Sequence, residues 1–203
     1  MAVSATSQTS QSPFDFAPHS TQDTDLLNQL NFVPGLKEIL MLRQVHALEH
    51  ATVWVLSQSL SAQGSQASGL LGGLSTEEGF YLYGTVNPVE LQRAVHVALQ
   101  RMVNGDWDLA VHPQCGTNLS VGMVLTAGLA LGIHLLIPKG PLEQLVGLGI
   151  AATAAIQLAP DVGAIVQRYV TTSIPFNLEV EDISSTRDRW GRPTHFVRVR
   201  WID

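Results

Sequence analysis

The feature that most restricts how this chain can fold is an uncharged run of nineteen residues, Leu119 to Ile137. A helix of about 20 apolar residues is long enough to cross the hydrocarbon layer of a bilayer. The turn signal PKGP follows at residues 138–141, and a second apolar run extends from Leu142 to Val166. The sequence therefore predicts a transmembrane helical hairpin over residues 119–170.

Small residues along both runs favour close contact between the two helix backbones. They are Gly128 and Gly132 in the first run, and Gly147, Ala151 and Ala155 in the second. Gln157 and Pro160-Asp161 interrupt the second run, so complete crossing is expected of the first run and left open for the second. The interruptions also fit an alternative, a helical hairpin buried in a soluble domain, but the length of the first run favours the membrane.

Charged residues make up only 14% of the chain, and the positive ones are unevenly placed. The turn holds only Lys139, whereas six arginines flank the outer ends of the hairpin: Arg93, Arg101, Arg168, Arg187, Arg189 and Arg192. By the positive-inside rule, both termini are expected on the cytoplasmic side. The net charge of -6 and the lack of a basic run argue against a nucleic-acid partner, so the expected partner is the lipid bilayer.

The segments before the hairpin predict a tail, two helices and a small mixed unit. Residues 1–23 are polar and predict a disordered tail, without the apolar core of a cleaved secretory signal. A short helix is expected from Thr24 or Asp25 to Leu30, and a long helix from Pro34 to about Leu60. Glycine-rich residues 61–75 predict a flexible connection.

The following residues predict a strand-helix-strand unit, made of Gly79–Gly84, Pro88–Val103 and Trp107–Val111. This unit completes a cytoplasmic-side α+β region over residues 24–118. Alternating residues near the end of the chain predict a C-terminal β-hairpin over residues 171–203. The expected fold class is mainly α with small α+β parts.

The long helix carries the motif HALEH at residues 46–50. On a helix, His46 and His50 are four residues apart and face one way, so both imidazoles can bind one metal ion. Glu49 lies beside them, and the order H-x-x-E-H also occurs in inverted zinc peptidases, where the Glu is the general base. The alternative is a core in which Glu49 bonds one histidine and no metal binds.

A second motif, HPQCGTN, begins at residue 112, directly before the first apolar run. His112 and Cys115 are two residues apart, as in many metal half-sites, and Gly116 lets the backbone turn them toward one point. Cys115 is the sole cysteine, which excludes an intrachain disulfide. It could also be a small buried apolar residue, with His112-Pro113 merely ending a strand.

Together the two motifs supply four candidate zinc ligands, which are His46, His50, His112 and Cys115. If all four bind, the site is closed and structural. If one only lies nearby, a position remains for water, which Glu49 could activate. The sequence leaves both arrangements open.

The segments HALEHATVWVL, GLSTEEGFYLYG and HPQCGTNL, with the two apolar runs, resemble an uncharacterised family of cyanobacterial membrane proteins known as a domain of unknown function. The resemblance covers residues 23–203. A more distant similarity is to bacterial membrane proteins described as predicted metal-dependent enzymes, and it rests on seven residues: His46, Glu49, His50, His112, Cys115, Gly116 and Thr117. These resemblances imply a membrane protein with a metal site.

Two functions follow from these observations. The first is a membrane-anchored metal-binding protein, specifically a zinc-dependent hydrolase with Glu49 as general base. The alternative is a non-enzymatic assembly or scaffold protein of the photosynthetic (thylakoid) membrane, with a structural metal site or none; membrane protein complexes are then further expected partners. The expected location is the thylakoid or plasma membrane.

Overall fold

The computed structural model describes residues 17–62, 71–136, 140–188 and 190–202. Its helices are α1 Gln22–Gln29, α2 Leu36–Ala62, α3 Pro88–Val103, α4 Gly116–Leu136 and α5 Pro141–Val166. Its strands are β1 Gly72–Thr76, β2 Gly79–Tyr83, β3 Leu178–Arg187 and β4 Pro193–Trp201. A 3-10 helix spans Trp107–Ala110, and a π-helical segment, Gln167–Thr171, continues α5.

The predicted fold class is confirmed: a mainly helical chain with a small sheet, a pair of apolar helices and a C-terminal β-hairpin. The sheet is antiparallel, in the order β1-β2-β4-β3. The C-terminal β-hairpin is part of this sheet because β4 pairs with β2 as well as with β3. Residues far apart in the chain therefore share one layer.

Helix α2 is the centre of the core and packs against α3 and the sheet. Leu40, Val45, Leu48 and Leu56 are buried on several of its faces, as the scarcity of charge in this segment predicts. Helix α3 begins as predicted, with the Asn87 side chain accepting a hydrogen bond from a backbone N–H two residues later. These contacts hold the middle of α2 in place.

The prediction of a second strand at Trp107–Val111, in the strand-helix-strand unit, is wrong. Gly105, with φ of 114°, ends the preceding turn, and the chain then forms the 3-10 helix. Its last turn closes when the backbone N–H of Val111 donates to the carbonyl of Asp108 at 3.1 Å. The short segment thus satisfies its backbone locally instead of pairing in the sheet.

Two other local predictions need correction. Residues 72–76, expected within a flexible connection, form β1, while residues 63–70 of that connection lie outside the described residues. Helix α1 begins at Gln22, so Asp23 does not belong to a disordered tail: it is buried and accepts hydrogen bonds from Gln44 and Ser173. Residues 1–16 of the predicted tail lie outside the described residues.

Helices α4 and α5 form the predicted pair, and both are long and apolar enough to cross a membrane. None of the residues of α4 is buried, unlike the core helix of a soluble domain. Helix α5 continues through Pro160, and with the π-helical segment it gives a candidate span of 31 residues, Pro141–Thr171. The polar interruption therefore does not break the helix, and residues 137–139 of the turn lie outside the described residues.

The contact between α4 and α5 uses only part of the predicted set of small residues. Those on α5 are buried, namely Gly147, Ala151 and Ala155, together with Gly163. Gly128 and Gly132 do not approach α5 closely, since a Cβ on either would meet no atom within 4 Å. The close approach on α4 is instead at Gly122, where a Cβ would lie 3.5 Å from the Ala159 Cβ.

Candidate metal centre

The α-helical spacing of α2 brings its two histidines together. The ring centroids of His46 and His50 lie 4.3 Å apart. Glu49 follows His46 by three residues and lies on the same side of the helix, where all three side chains line one cavity. One helix face therefore presents two imidazoles and a carboxyl group.

The loop that precedes α4 brings Cys115 to these histidines. Its backbone N–H donates to the carbonyl of His112, and its own carbonyl accepts from Asn118 in the first turn of α4. The Cys115 Sγ lies 3.3 Å from Nε2 of His46. One ligand atom each from His46, His50 and Cys115 lies within 4.8 Å of the others, so this group could hold a metal ion.

Backbone carbonyls fix the orientation of both imidazoles. Nδ1 of His46 lies 3.0 Å from the carbonyl oxygen of Thr171, and Nδ1 of His50 lies 2.6 Å from that of Ala110. A carbonyl oxygen only accepts, so each Nδ1 is the protonated donor. When the ring is neutral, the lone pair is then on Nε2, an arrangement that metal-binding histidines commonly show.

The thiol of Cys115 lies in surroundings that favour its ionised form. Burial alone would raise its pKa, but hydrogen bonding and positive charge from His50, with hydrogen bonds from Thr117, outweigh burial and lower the pKa below its usual value. The Thr117 backbone N–H lies 3.4 Å from Sγ. A thiolate is the form of cysteine that binds metals.

Glu49 is held between α2 and β1. Burial raises the pKa of its carboxyl group, although a hydrogen bond from Ser75 and the charge of His46 partly oppose this. The backbone of β1 passes so close that a Cβ on Gly73 would overlap the Glu49 carboxylate. The carboxyl group of Glu49 therefore binds a proton more readily than an exposed glutamate does.

His112 lies beside the group of three and is not a member of it. Its ring centroid is 5.7 Å from that of His50 and 5.0 Å from that of Trp54. Its Nδ1 accepts a hydrogen bond from the backbone N–H of Gln114 at 3.3 Å. Burial and the positive charge of His50 lower the His112 pKa to about 4, so the ring is neutral at pH 7.

A single cavity of about 570 Å³ joins all five predicted site residues. Its floor contains His46, Glu49, His50, His112 and Cys115, and its walls come from α2, β1, the first turn of α4 and the end of α5. This volume lies within the range of roughly 300–1,000 Å³ typical of small-molecule sites.

Four further residues shape the site and were not predicted from the sequence. Ser75 and Gly73 lie in a segment whose glycines indicated flexibility, and only their position on β1 brings them to Glu49. Thr171 and Ala110 contribute backbone carbonyls, which carry no side-chain signature. For Ser75, the one signal in the sequence is that short polar residues follow a pair of glycines, as in GGLST.

A comparison with protein-family models places the chain in a family that is defined by sequence alone. The model described as "Domain of unknown function (DUF6391)" matches residues 41–183, which include every predicted site residue, and the chain belongs to this family. The chain is also 50% identical, over 191 residues, to an uncharacterized protein of the cyanobacterium Picosynechococcus sp. (strain PCC 7002), with 93% of each chain covered. No solved structure gives a significant match.

Proposed function

We propose that this protein is a membrane-anchored, zinc-dependent hydrolase. The observation that carries the proposal is the convergence of the His46, His50 and Cys115 ligand atoms in a cavity that Glu49 also lines. Three protein ligands with a free fourth position and a neighbouring carboxylate are typical of catalytic zinc sites, whereas structural sites are closed by four ligands.

The donor set fits zinc. With these tautomers, the Nε2 lone pairs of both imidazoles lie opposite Cys115. The Cys115 thiol carries at most one proton, so it can donate a hydrogen bond to only one of the two nitrogens. A cation bound by His46, His50 and Cys115 satisfies all three donors at once. Nitrogen and thiolate ligands in a near-tetrahedral arrangement are the preference of Zn²⁺.

Zinc would supply positive charge that polarises a carbonyl group and lowers the pKa of water. Glu49 is the proton acceptor: it takes a proton from the attacking water and returns it to the leaving group. Ser75 holds one oxygen of Glu49 through its hydroxyl hydrogen bond. His112, neutral beside His50, accepts the Gln114 backbone N–H at Nδ1, so its second ring nitrogen carries the proton and is placed to donate to substrate.

The hairpin of α4 and α5 is proposed to cross the membrane, with both chain termini on the cytoplasmic side. The length and exposed apolar surface of these helices support crossing, and the arginines outside the hairpin support the orientation. Similarity to a cyanobacterial protein supports a thylakoid or plasma membrane location. The metal centre then lies at the cytoplasmic surface of that membrane.

The metal content of purified protein tests the proposal. Wild-type protein is expected to hold about one zinc per chain, and His50→Ala is expected to lose it because only two ligands remain. His96→Ala is the matched control, since His96 is exposed on α3 and lies outside the cavity. Absence of stoichiometric metal in the wild type, or equal content in His50→Ala, would overturn the proposal.

Glu49→Gln separates catalysis from the second candidate, a scaffold of the photosynthetic membrane, which the cyanobacterial relative favours. A hydrolase that lacks its general base is expected to lose roughly 10²–10⁴-fold in kcat while it retains zinc. A scaffold would keep its function in cells with Glu49→Gln and lose its fold with His50→Ala. His50→Ala impairs both candidates, so the result for Glu49→Gln decides between them.

A further inference from the structure

The mouth of the metal cavity is surrounded by large apolar side chains that face solvent. Four residues form this apolar rim, with exposed fractions of 55% for Ile39, 40% for Leu42, 53% for Leu74 and 62% for Val170. They come from α2, β1 and the end of α5. Single apolar residues scattered over a surface need no explanation. Several that surround one opening form a contiguous apolar patch, and such a patch marks an interaction site.

The rim is continuous with the candidate membrane spans. The cavity wall includes Gly116 and Thr117, the first residues of one span, and Val170 and Thr171, the last residues of the other. The metal centre therefore lies at the level where both spans end, and its opening is at the boundary between the bilayer and the soluble part.

A hydrogen-bonded contact holds the apolar part of α2 at this same level. The Arg43 guanidinium donates to the carbonyls of Tyr169 and Thr172, at 3.3 and 3.0 Å. Ile39 and Leu42 lie within one turn of Arg43, so they are held beside the end of the second span. Burial in acyl chains removes their surface from water, which is favourable.

The cavity thus changes in polarity from its mouth to its floor. The mouth is the exposed apolar rim, and the floor carries the buried residues Glu49, His50 and Cys115, with half-buried His46 beside them. An acyl ester has the matching order of groups, since its hydrocarbon chain leads to a carbonyl group. A soluble polar substrate gains nothing from the rim.

We infer that the substrate is an acyl ester of a membrane lipid, whose chain enters from the bilayer across the apolar rim. The inference rests on the proposed function and specifies its substrate class. In the step, the oxygen of water bonds to the acyl carbon and the bond from that carbon to the alcohol oxygen breaks. Glu49 carries the proton from water to the alcohol, so the products are a fatty acid and an alcohol, with no change in oxidation state.

Photo-crosslinking in vesicles tests the path of the acyl chain without requiring turnover. Full-length zinc-loaded protein is placed in phosphatidylcholine vesicles that contain a phosphatidylcholine with a diazirine in one acyl chain. Adducts mapped by mass spectrometry are expected on α4 and α5, and also on residues 39–46 and 71–75. The hairpin adducts serve as an internal measure of membrane insertion.

Variants of the rim give the specific readout. Leu42→Gln and Ile39→Gln each place a polar group in the path of the chain, so adducts on residues 39–46 and 71–75 are expected to fall roughly tenfold relative to those on the hairpin. Val89→Gln is the matched control, because Val89 is equally apolar, is 73% exposed and lies on α3 away from the cavity. All three variants are expected to retain zinc, since none of them removes a ligand.

Hydrolysis of a series of soluble acyl esters completes the test. The wild type is expected to show kcat/KM rising with acyl chain length, and Leu42→Gln is expected to flatten this dependence. Adducts confined to α4 and α5, or hydrolysis independent of chain length, would overturn the substrate assignment. Failure of the proposed function gives a different result. The protein then holds no zinc or hydrolyses no ester, while the crosslinks at the rim persist.

Discussion

Backbone hydrogen bonds set the tautomers of the two imidazoles in the candidate metal group of His46, His50 and Cys115. Carbonyls of Thr171 and Ala110 hold the two imidazoles as Nδ1–H tautomers, which turns both unprotonated nitrogens toward Cys115. Sγ of Cys115 receives a backbone hydrogen bond from Thr117, and its pKa is lowered. The lowered pKa of Cys115 and the facing imidazoles support the proposal that a metal cation binds here.

We expect metal removal to expose this thiolate to alkylation. In chelator-treated protein at pH 7.5, iodoacetamide should modify Cys115 at least roughly tenfold faster than in zinc-loaded protein, because bound metal occupies the sulfur lone pairs. Mass spectrometry gives the rate without ambiguity, since the chain has one cysteine. Equal rates with and without chelator would mean that Cys115 is not a ligand.

At the scale of single residues, the sequence predicts the identity of the site better than its surroundings. The spacing of His46 and His50 is a property of any helix, so their shared face follows from the sequence alone. The contact of Cys115 with these histidines depends on the tertiary structure, so it does not follow from the sequence. The position of Cys115 in a turn before an apolar run nevertheless makes it a candidate ligand. His112 was predicted as an equal ligand, but it lies beside the group of three because its ring packs on Trp54.

Strand β1 acts at the scale of an element, since it covers Glu49 from one side. The strand contributes the Ser75 hydroxyl to the carboxylate, and a side chain at Gly73 would occupy the same space as the carboxylate. At Gly72 a Cβ would meet nothing within 4 Å. The pair of glycines therefore provides a matched comparison.

Gly73→Ala is expected to displace the Glu49 side chain, which is flexible enough to move without disrupting the core. Activity should fall by roughly 10²-fold or more, while zinc content stays at the wild-type level and stability changes little. Gly72→Ala should leave all three measurements unchanged. If the two variants lose activity equally, the close approach of β1 does not position the general base.

A chain of hydrogen bonds joins the first turn of α4 and the π-helical continuation of α5 to the loop of residues 112–115, which precedes α4. Gln167 donates to the Asn118 side chain at 2.7 Å, and its own oxygen accepts from the backbone N–H of His112 at 2.8 Å. Asn118 donates in turn to the Pro113 carbonyl at 2.8 Å. Gly163 allows this network, because a Cβ there would overlap the Asn118 side chain.

Gly163→Ala should therefore separate the two helices at the end nearest the metal. The expected cost is about 1–3 kcal/mol in the free energy of unfolding, measured in detergent, together with weaker zinc affinity. Gly128→Ala is the control, since its Cβ meets no atom within 4 Å and alanine favours helix. A Gly163→Ala protein with wild-type stability would show that the helix ends tolerate this separation.

The elements that the sequence predicted well are those with a strong period or a long apolar run. Helices α2, α3, α4 and α5 belong to this group, as does the C-terminal β-hairpin. Strand β1 was missed because two glycines mask strand propensity, and its pairing with β2 supplies what the local sequence lacks. The segment Trp107–Ala110 was misassigned because four residues carry too little pattern to separate a strand from a 3-10 helix.

In the molecule as a whole, the hairpin of α4 and α5 forms part of the candidate site, and it is also the proposed membrane anchor. The chain enters α4 directly after Cys115, and it leaves the second span at Thr171, whose carbonyl orients His46. Both ends of the hairpin therefore touch the metal centre. The soluble part reaches the same place through α2, which passes the span ends with His46, Glu49 and His50 on one face.

The proposed double crossing places both termini and the candidate metal centre on one side of the membrane, because two crossings return the chain to its starting side. The excess of arginine outside the hairpin predicts that this side is the cytoplasm. Green fluorescent protein fused to either terminus should fluoresce, and alkaline phosphatase at either terminus should be inactive. Phosphatase inserted after Lys139 should be active, because the turn alone is expected on the opposite side.

Two other outcomes would contradict this arrangement in different ways. Active phosphatase at the termini would reverse the orientation and place the metal centre away from the cytoplasm. Fluorescence of a green fluorescent protein inserted after Lys139 would mean that the hairpin does not cross, so that α4 and α5 bury their apolar surface against a partner. Only the arrangement with both termini in the cytoplasm opens the metal cavity toward lipids of the cytoplasmic leaflet. The topology therefore decides which leaflet supplies the proposed substrate.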